Sequence, residues 1–452
     1  MKQTPGIAAV VLAAVALLGA AAAPQGPAGV RRQQVAERLV DRLAAGDFTG
    51  AGAEFDEAMR TALPPAKLAG VWVALKGQAG AFQGRGGTRP GREAGYDMVF
   101  VTCRFASRPL DAKVVFDDAG KIAGLFFAPS AAVPAPGETS LPPYATPAAF
   151  KEKEVRVGSG QWVLPGTLTL PAGAGPFPAL VLVHGSGPLD RDETVGPNKP
   201  FRDIAAGLAS RGVAVLRYDK RTLAHKAAMA ALPEQVTLKE ETIDDAVAAV
   251  ALLRAERTID AGRLFLLGHS LGGIAVPRIG ALDPKIAGFI LCAAPSRPLE
   301  EIILDQITYI AGLDGDISAE ERERLDETQI QIKRLRARVT AGDPTEGELP
   351  LGLSRAYWSD LSRGTGPAAT ARLRQPLLVL QGGRDYQVTT VDFDGWKRAL
   401  AARSGVEMKL FPDLNHLFMA GSGKSRPEEY QTPGHVAPEV VETIARWIKA
   451  RG

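Results

Sequence analysis

The sequence predicts an α/β fold: a mostly parallel sheet with helices on both faces, preceded by a small α+β domain. Three observations point there. From about residue 150 onward, short wholly apolar runs alternate with amphipathic stretches, as expected of strands buried on both faces and joined by helices. Ahead of them, helix-like segments come first and strand-like ones after. Between the two, six prolines within residues 129–147 form a stretch that cannot nucleate a helix or a central strand. With 452 residues, 46% of them hydrophobic and 23% charged, the chain has length for about two to three domains and is too apolar for disorder.

At the front, residues 7–23 form an uncharged run of mainly Ala, Val and Leu behind Lys2. The run is shorter than the ~20 residues of a spanning helix and ends in small residues. It predicts a signal peptide over residues 1–23, cut near Ala21 or Ala22, and export to a periplasm or the medium. An uncleaved anchor is the alternative. No Cys follows the run to carry a lipid, and no later apolar stretch is long enough to cross a bilayer.

Residues 31–128 read as the small α+β domain. Val35, Leu39, Leu43 and Phe48 recur at helical spacing, with Gly46-Asp47 as a break, and a second helix is expected over 53–60. Segments 96–105, 111–116 and 122–127 pattern as strands, with a turn at residues 117–120. Residues 129–149 are the linker, and 150–452 the second domain. There 155–157 and 162–170 pattern as a strand hairpin, and 179–183 as a buried strand. Helix 201–210, strand 213–218, helix 243–257, strand 264–267, helix 272–281 and strand 286–292 follow. After an insertion over about 296–374 come strand 376–380, helix 394–404, strand 406–411 and a last helix, 438–450. The insertion has a helical stripe at Leu299, Ile302, Ile303, Ile307 and Ile310. Ser318 and Glu321 then form a capping-box pattern ahead of a charged helix. It is either a hairpin packed on the sheet edge or a cap over the ligand-binding ends of the strands.

The chemistry centres on Gly268-His269-Ser270-Leu271-Gly272-Gly273, between an apolar strand and an apolar helix. A serine forced into that sharp turn projects its hydroxyl above the sheet, at a helix N-terminus whose free N–H groups suit a developing oxyanion. The hydroxyl needs a base, and the base an orienting carboxylate, in the chain order Ser, acid, His. Of five histidines, only His416 and His435 follow the elbow. His416 follows a strand at the sheet's rim, whereas His435 reads as surface. Asp385, just past strand 376–380 in Gln381-Gly382-Gly383-Arg384-Asp385, is the expected acid, with Asp413 and Asp360 as rivals. The loop His184-Gly185-Ser186-Gly187-Pro188 should supply the first oxyanion donor, the N–H of Ser186 or else of Gly187, and Leu271 the second. His184 is expected to brace that loop.

The charged runs 190–193 and 217–221 read by default as solvated loops beside the pocket, in positions that permit contacts to substrate or cap. Tyr357 and Trp358 could line an acyl pocket or fill core. Cys103 and Cys292 fall in separate domains and read as buried free thiols. The balance of 53 Lys+Arg against 50 Asp+Glu argues against nucleic-acid binding, and no phosphate-binding loop, dinucleotide fingerprint or metal-ligand spacing appears.

With these motifs in place, residues 150–452 resemble the α/β-hydrolases, and among them bacterial secreted carboxylesterases of the EstD type. The resemblance rests on His184-Gly185-Ser186-Gly187-Pro188 with Asp190-Arg191-Asp192-Glu193, on Gly196-Pro197-Asn198-Lys199-Pro200-Phe201, on Arg217-Tyr218-Asp219-Lys220-Arg221 and on the elbow. It implies an α/β-hydrolase fold with a helical cap. It also implies hydrolysis of short- to medium-chain carboxylic esters by Ser270, Asp385 and His416 through an acyl-enzyme, without cofactor or metal. The expected partner is a small-molecule ester, and no oligomeric state is implied. The front domain resembles the cystatin-like, nuclear-transport-factor-like domains that precede some secreted hydrolases. Similar elbows occur in secreted serine aminopeptidases, amidases and acyltransferases, which stand as alternatives. A non-catalytic binding protein on a hydrolase scaffold is a more distant one.

Overall fold

The computed structural model describes residues 27–93, 96–106, 109–117, 119–130, 140–232, 235–341, 353–363 and 365–451. The expected signal segment and residues 131–139 of the expected linker lie outside them. Two compact units stand on either side of that linker stretch.

In the first, β1 (Phe82–Glu93), β2 (Tyr96–Phe105), β3 (Pro109–Phe116) and β4 (Ile122–Pro129) form an antiparallel sheet in that order. The helix Pro27–Ala45 buries Val35, Leu39 and Leu43 on one stripe, as their spacing requires. The helix expected over 53–60 is split. Gly52–Glu54 is a 3₁₀ turn, Phe55 is buried, and Asp56 caps a new helix, Glu57–Ala62, by accepting from Met59 N at 2.7 Å. A further helix, Pro65–Ala79, brings Trp72 to within 5.3 Å of Phe82 and 5.6 Å of Phe105, ring centre to ring centre.

The second unit holds eight strands: β5 (Phe150–Val157), β6 (Leu164–Pro171), β7 (Phe177–Val183), β8 (Ala214–Tyr218), β9 (Ile259–His269), β10 (Gly288–Cys292), β11 (Leu377–Gly382) and β12 (Val406–Phe411). Their order is β12-β11-β10-β9-β7-β8-β6-β5. The pairs β5–β6 and β6–β8 are antiparallel and the others parallel. Alternate residues of β7 feed opposite cores. Val181 and Val183 face the helices Asp244–Ala255 and Leu271–Leu282, and Leu180 and Leu182 face Pro200–Ala209 and Pro438–Lys449. The apolar runs are continuous because both faces are covered.

Within the insertion, helix Leu299–Ala311 is followed by Ala319–Ala341, whose start is the expected capping box. Glu321 N donates to Ser318 Oγ (3.3 Å), and Ser318 N donates to Glu321 Oε2 (2.9 Å). Leu335 and, from the short helix Arg355–Leu361, Tyr357 and Trp358 join the core on the Leu271–Leu282 face. Tyr357 and Trp358 are thus buried core. Both cysteines are buried and free.

Candidate active site

Ser270 sits at the junction of β9 and the helix Leu271–Leu282, with φ 51° and ψ −121°. Only a crowded turn holds an L-residue there. A Cβ on Gly268 would lie 2.4 Å from Gly272 O, and one on Gly272 would lie 2.4 Å from Val183 O, so both positions require glycine. Ser270 N donates to Cys292 O at 2.9 Å, while Leu271 begins the helix, where N–H groups have no intrahelical acceptor. Among the described residues, the non-glycine positions with positive φ are Glu193, Ser270, Ala293 and Phe418. All four lie in the elbow or the loops beside it. Backbone strain is concentrated where the chemistry is expected.

On one side, His416 Nδ1 lies 2.7 Å from Asp385 Oδ2, both residues being buried. A carboxylate can only accept, so Nδ1 carries the proton and Nε2 is left as the acceptor. Asp385 Oδ1 accepts from Gln387 N (2.8 Å) and Val388 N (2.9 Å), and Oδ2 also accepts from Gln381 Nε2 (3.2 Å). Asn415 Oδ1 takes the N–H groups of Leu417 and Met419, fixing the turn that presents His416. The rival Asp413 is exposed, and Asp360 is engaged by Arg278 at 2.8 Å. His435, expected on the surface, is half-buried and faces Asp203 at 3.1 Å.

On the other side, Gly185 lies against the elbow. A Cβ there would stand 3.2 Å from Ser270 Cβ. Gly185 N donates to Glu193 Oε1 (2.8 Å) and is therefore already engaged. His184 Nε2 lies 3.0 Å from Asp190 O, bracing the loop as expected, and burial pushes its pKa down to about 4. The ring is therefore neutral, with Nε2–H donating.

The charged stretch 190–193 is not a solvated loop. Asp190 Oδ1 accepts from Thr194 N (2.9 Å), Arg191 pairs with Asp219 (3.0 Å), and Asp192 binds Arg217 and Lys199. Glu193 is 2% exposed and lies 3.0 Å from His269 Nδ1, while His269 Nε2 lies 3.0 Å from His416 O. An oxygen thus lies within 3.0 Å of each ring nitrogen of His269. Burial lowers its pKa, but the Glu193 charge and hydrogen bond and the His416 carbonyl outweigh that, and the net shift is upward. Glu193 is shifted the other way: burial raises it, and the His269 charge brings it below its ordinary value. The run 217–221 is equally absorbed, with Lys220 Nζ 2.8 Å from Gly185 O and 2.6 Å from Glu241.

Motif reasoning missed Glu193, Lys220, Glu241, His269, Gln381 and Asn415 as site residues. The signal available was the density of charge next to apolar strands. Among the described residues, no group of His, Cys, Asp and Glu is arranged to hold a metal, and no helix is long and apolar enough to cross a membrane.

Residues 180–430 match the model of the alpha/beta hydrolase family, and residues 36–125 match a family described only as a protein of unknown function, DUF3887. The chain is 40% identical to Esterase EstD of Thermotoga maritima over 416 residues, 92% of this chain and 95% of that protein. Solved structures similar to it include the esterase domain of a Rhodothermus marinus protein, at 20% identity and a TM-score of 0.40 over 66% of this chain and 98% of that one. Est1E from Butyrivibrio proteoclasticus is 15% identical with a TM-score of 0.42, over 66% and 99%. From the family match and the near full-length relative, this chain belongs to the alpha/beta hydrolase family.

Proposed function

We propose that the protein is a serine carboxylesterase that hydrolyses short- to medium-chain esters with Ser270 as nucleophile, His416 as general base and Asp385 as its orienting acid. The observation that carries this reading is the 2.7 Å contact of His416 Nδ1 with buried Asp385, in a site whose serine occupies a positive-φ elbow. His416 Nε2 takes the hydroxyl proton as Ser270 Oγ bonds to the ester carbonyl carbon. The N–H groups of Ser186 and Leu271 hold the oxyanion. The proton then passes from His416 to the departing alcohol, and a water activated by the same nitrogen releases the acid. The relationship to a curated esterase supports ester over amide substrates.

The test is Ser270→Ala. Hydrolysis of p-nitrophenyl butyrate should fall by about 10⁵–10⁶ in kcat, and an organophosphonate should label Ser270 in the unsubstituted enzyme alone. Retention of most of the activity would end this reading. Export, proposed from residues 7–23, is checked by the mature N-terminus. A cytosolic protein still beginning at Met1 would overturn it.

A further inference from the structure

Gly185 is held by buried charge at both its own N–H and its C=O, the latter being the carbonyl of the peptide that joins it to Ser186. Gly185 N donates to Glu193 at 2.8 Å, and Gly185 O accepts from Lys220 Nζ at 2.8 Å. Lys220 is 2% exposed, and its ammonium is countered by Glu241 at 2.6 Å, whose other oxygen accepts from the Tyr357 hydroxyl. Glu241 reaches inward from a π-helical turn, Lys239–Ile243, a departure from α geometry often found at functional sites. The neutral His184 ring is the further titratable group near Lys220.

A trans peptide is planar, and its C=O and N–H point in opposite directions. Lys220 therefore binds the back of the same amide whose N–H, on Ser186, is the proposed oxyanion donor. A cation on the carbonyl oxygen draws electron density through the amide and leaves the N–H a stronger donor, an effect that low local dielectric enlarges. We propose that Lys220 is a positioning residue that polarises the Gly185–Ser186 peptide and so strengthens the oxyanion hole. The proposal rests on the reading of Ser270 as nucleophile and Ser186 N–H as oxyanion donor. Glu241 and Tyr357 hold the ammonium in place.

The experiment uses a butyl trifluoromethyl ketone. Ser270 Oγ adds to its carbonyl carbon, the serine proton passes to His416, and the hemiketal oxygen lies in the oxyanion hole. Fluorine NMR against pH reports the ionisation of that oxygen, which overall bracing of the fold does not set. In Lys220→Met, kcat/KM for p-nitrophenyl butyrate should fall about tenfold through kcat, with KM nearly unchanged, part of the ~10²–10³ that a whole donor supplies. The hemiketal pKa should rise by about one pH unit, the same tenfold factor. The double variant Lys220→Met/Glu241→Gln removes both buried charges. It should give the same rise even if the single variant does not fold. Glu241→Gln, which keeps the ammonium, should leave the hemiketal pKa near that of the unsubstituted enzyme. An unchanged hemiketal pKa without Lys220, or an equal rise in Glu241→Gln, overturns the proposal. Failure of the unsubstituted enzyme to form a hemiketal at all would instead sink the serine mechanism on which it rests.

Discussion

The two sides of the active site are built from different materials. The side of the proposed base is held by neutral groups: two backbone N–H groups and Gln381 donate to Asp385, and Asn415 Oδ1 accepts from its own loop. The side of the proposed oxyanion hole is held by ionisable pairs, with Glu193 against His269, Lys220 against Glu241, and Asp192 against Arg217. Neutral groups carry no charge to lose as the pH changes. Charges fix their geometry only while each partner remains, because a buried ion left alone is costly. The base side should therefore fail by chemistry and the oxyanion side by stability.

The largest expected effect breaks the base side. In Asp385→Asn, the amide oxygen can still accept from Gln387 and Val388, which turns the NH₂ group toward His416. That imidazole must then protonate on Nε2 and can no longer accept from Ser270. A fall in kcat of about 10⁴ is expected, with an unfolding free energy close to that of the unsubstituted enzyme. A loss below tenfold in esterase assays would show that Asp385 does not orient the base.

The matching substitution on the other side is Glu193→Ala. It strips the partner from Gly185 N and from His269 at once, and about 3–5 kcal/mol of stability should be lost in urea unfolding. Glu193→Gln keeps an acceptor for Gly185 and should recover most of that. Equal losses in the two variants would mean that the carboxylate charge facing His269, not the acceptor offered to Gly185 N, is what Glu193 contributes.

The same contrast explains what could be read from the sequence. The sheet was legible because strands such as β7 are buried on both faces and must be wholly apolar. The elbow was legible because its glycines and serine are local to one turn. Strand β1 was not, since Gly84, Gly86, Gly87, Pro90 and Gly91 break any apolar alternation, and it lies at a sheet edge where such residues are tolerated. The helix Pro65–Ala79 was missed for want of a stripe: Leu68 and Trp72 are buried, but Val71 and Val73 are exposed beside them. Glu193 and Lys220 read as solvated charge because each takes its meaning from partners elsewhere in the chain, His269 and Glu241. Sequence shows that charges crowd there. It does not show which will meet.

The smallest expected effect separates two buried histidines whose pKa values are shifted in opposite directions. His184 is neutral when folded, its pKa pushed by burial from an ordinary 6.5 to about 4. Below pH 6.5 the unfolded chain takes up a proton that folded His184 refuses. Its contribution is therefore complete above pH 6.5 and declines as the pH falls toward 4, by roughly 3 kcal/mol in all. His269 is shifted upward by its ion pair, so its contribution is complete below pH 6.5 and is lost only as the pH rises through its folded pKa. Carboxylates add their own acid-side losses in both enzymes, so a difference isolates the histidine. In His184→Gln, the amide can still donate to Asp190 O but does not titrate. The gap in unfolding free energy between the unsubstituted enzyme and this variant should shrink steadily from pH 7 to pH 4. A gap that stays constant over that range would mean His184 is protonated in the fold, with its ring nitrogen no longer the neutral brace of the oxyanion loop.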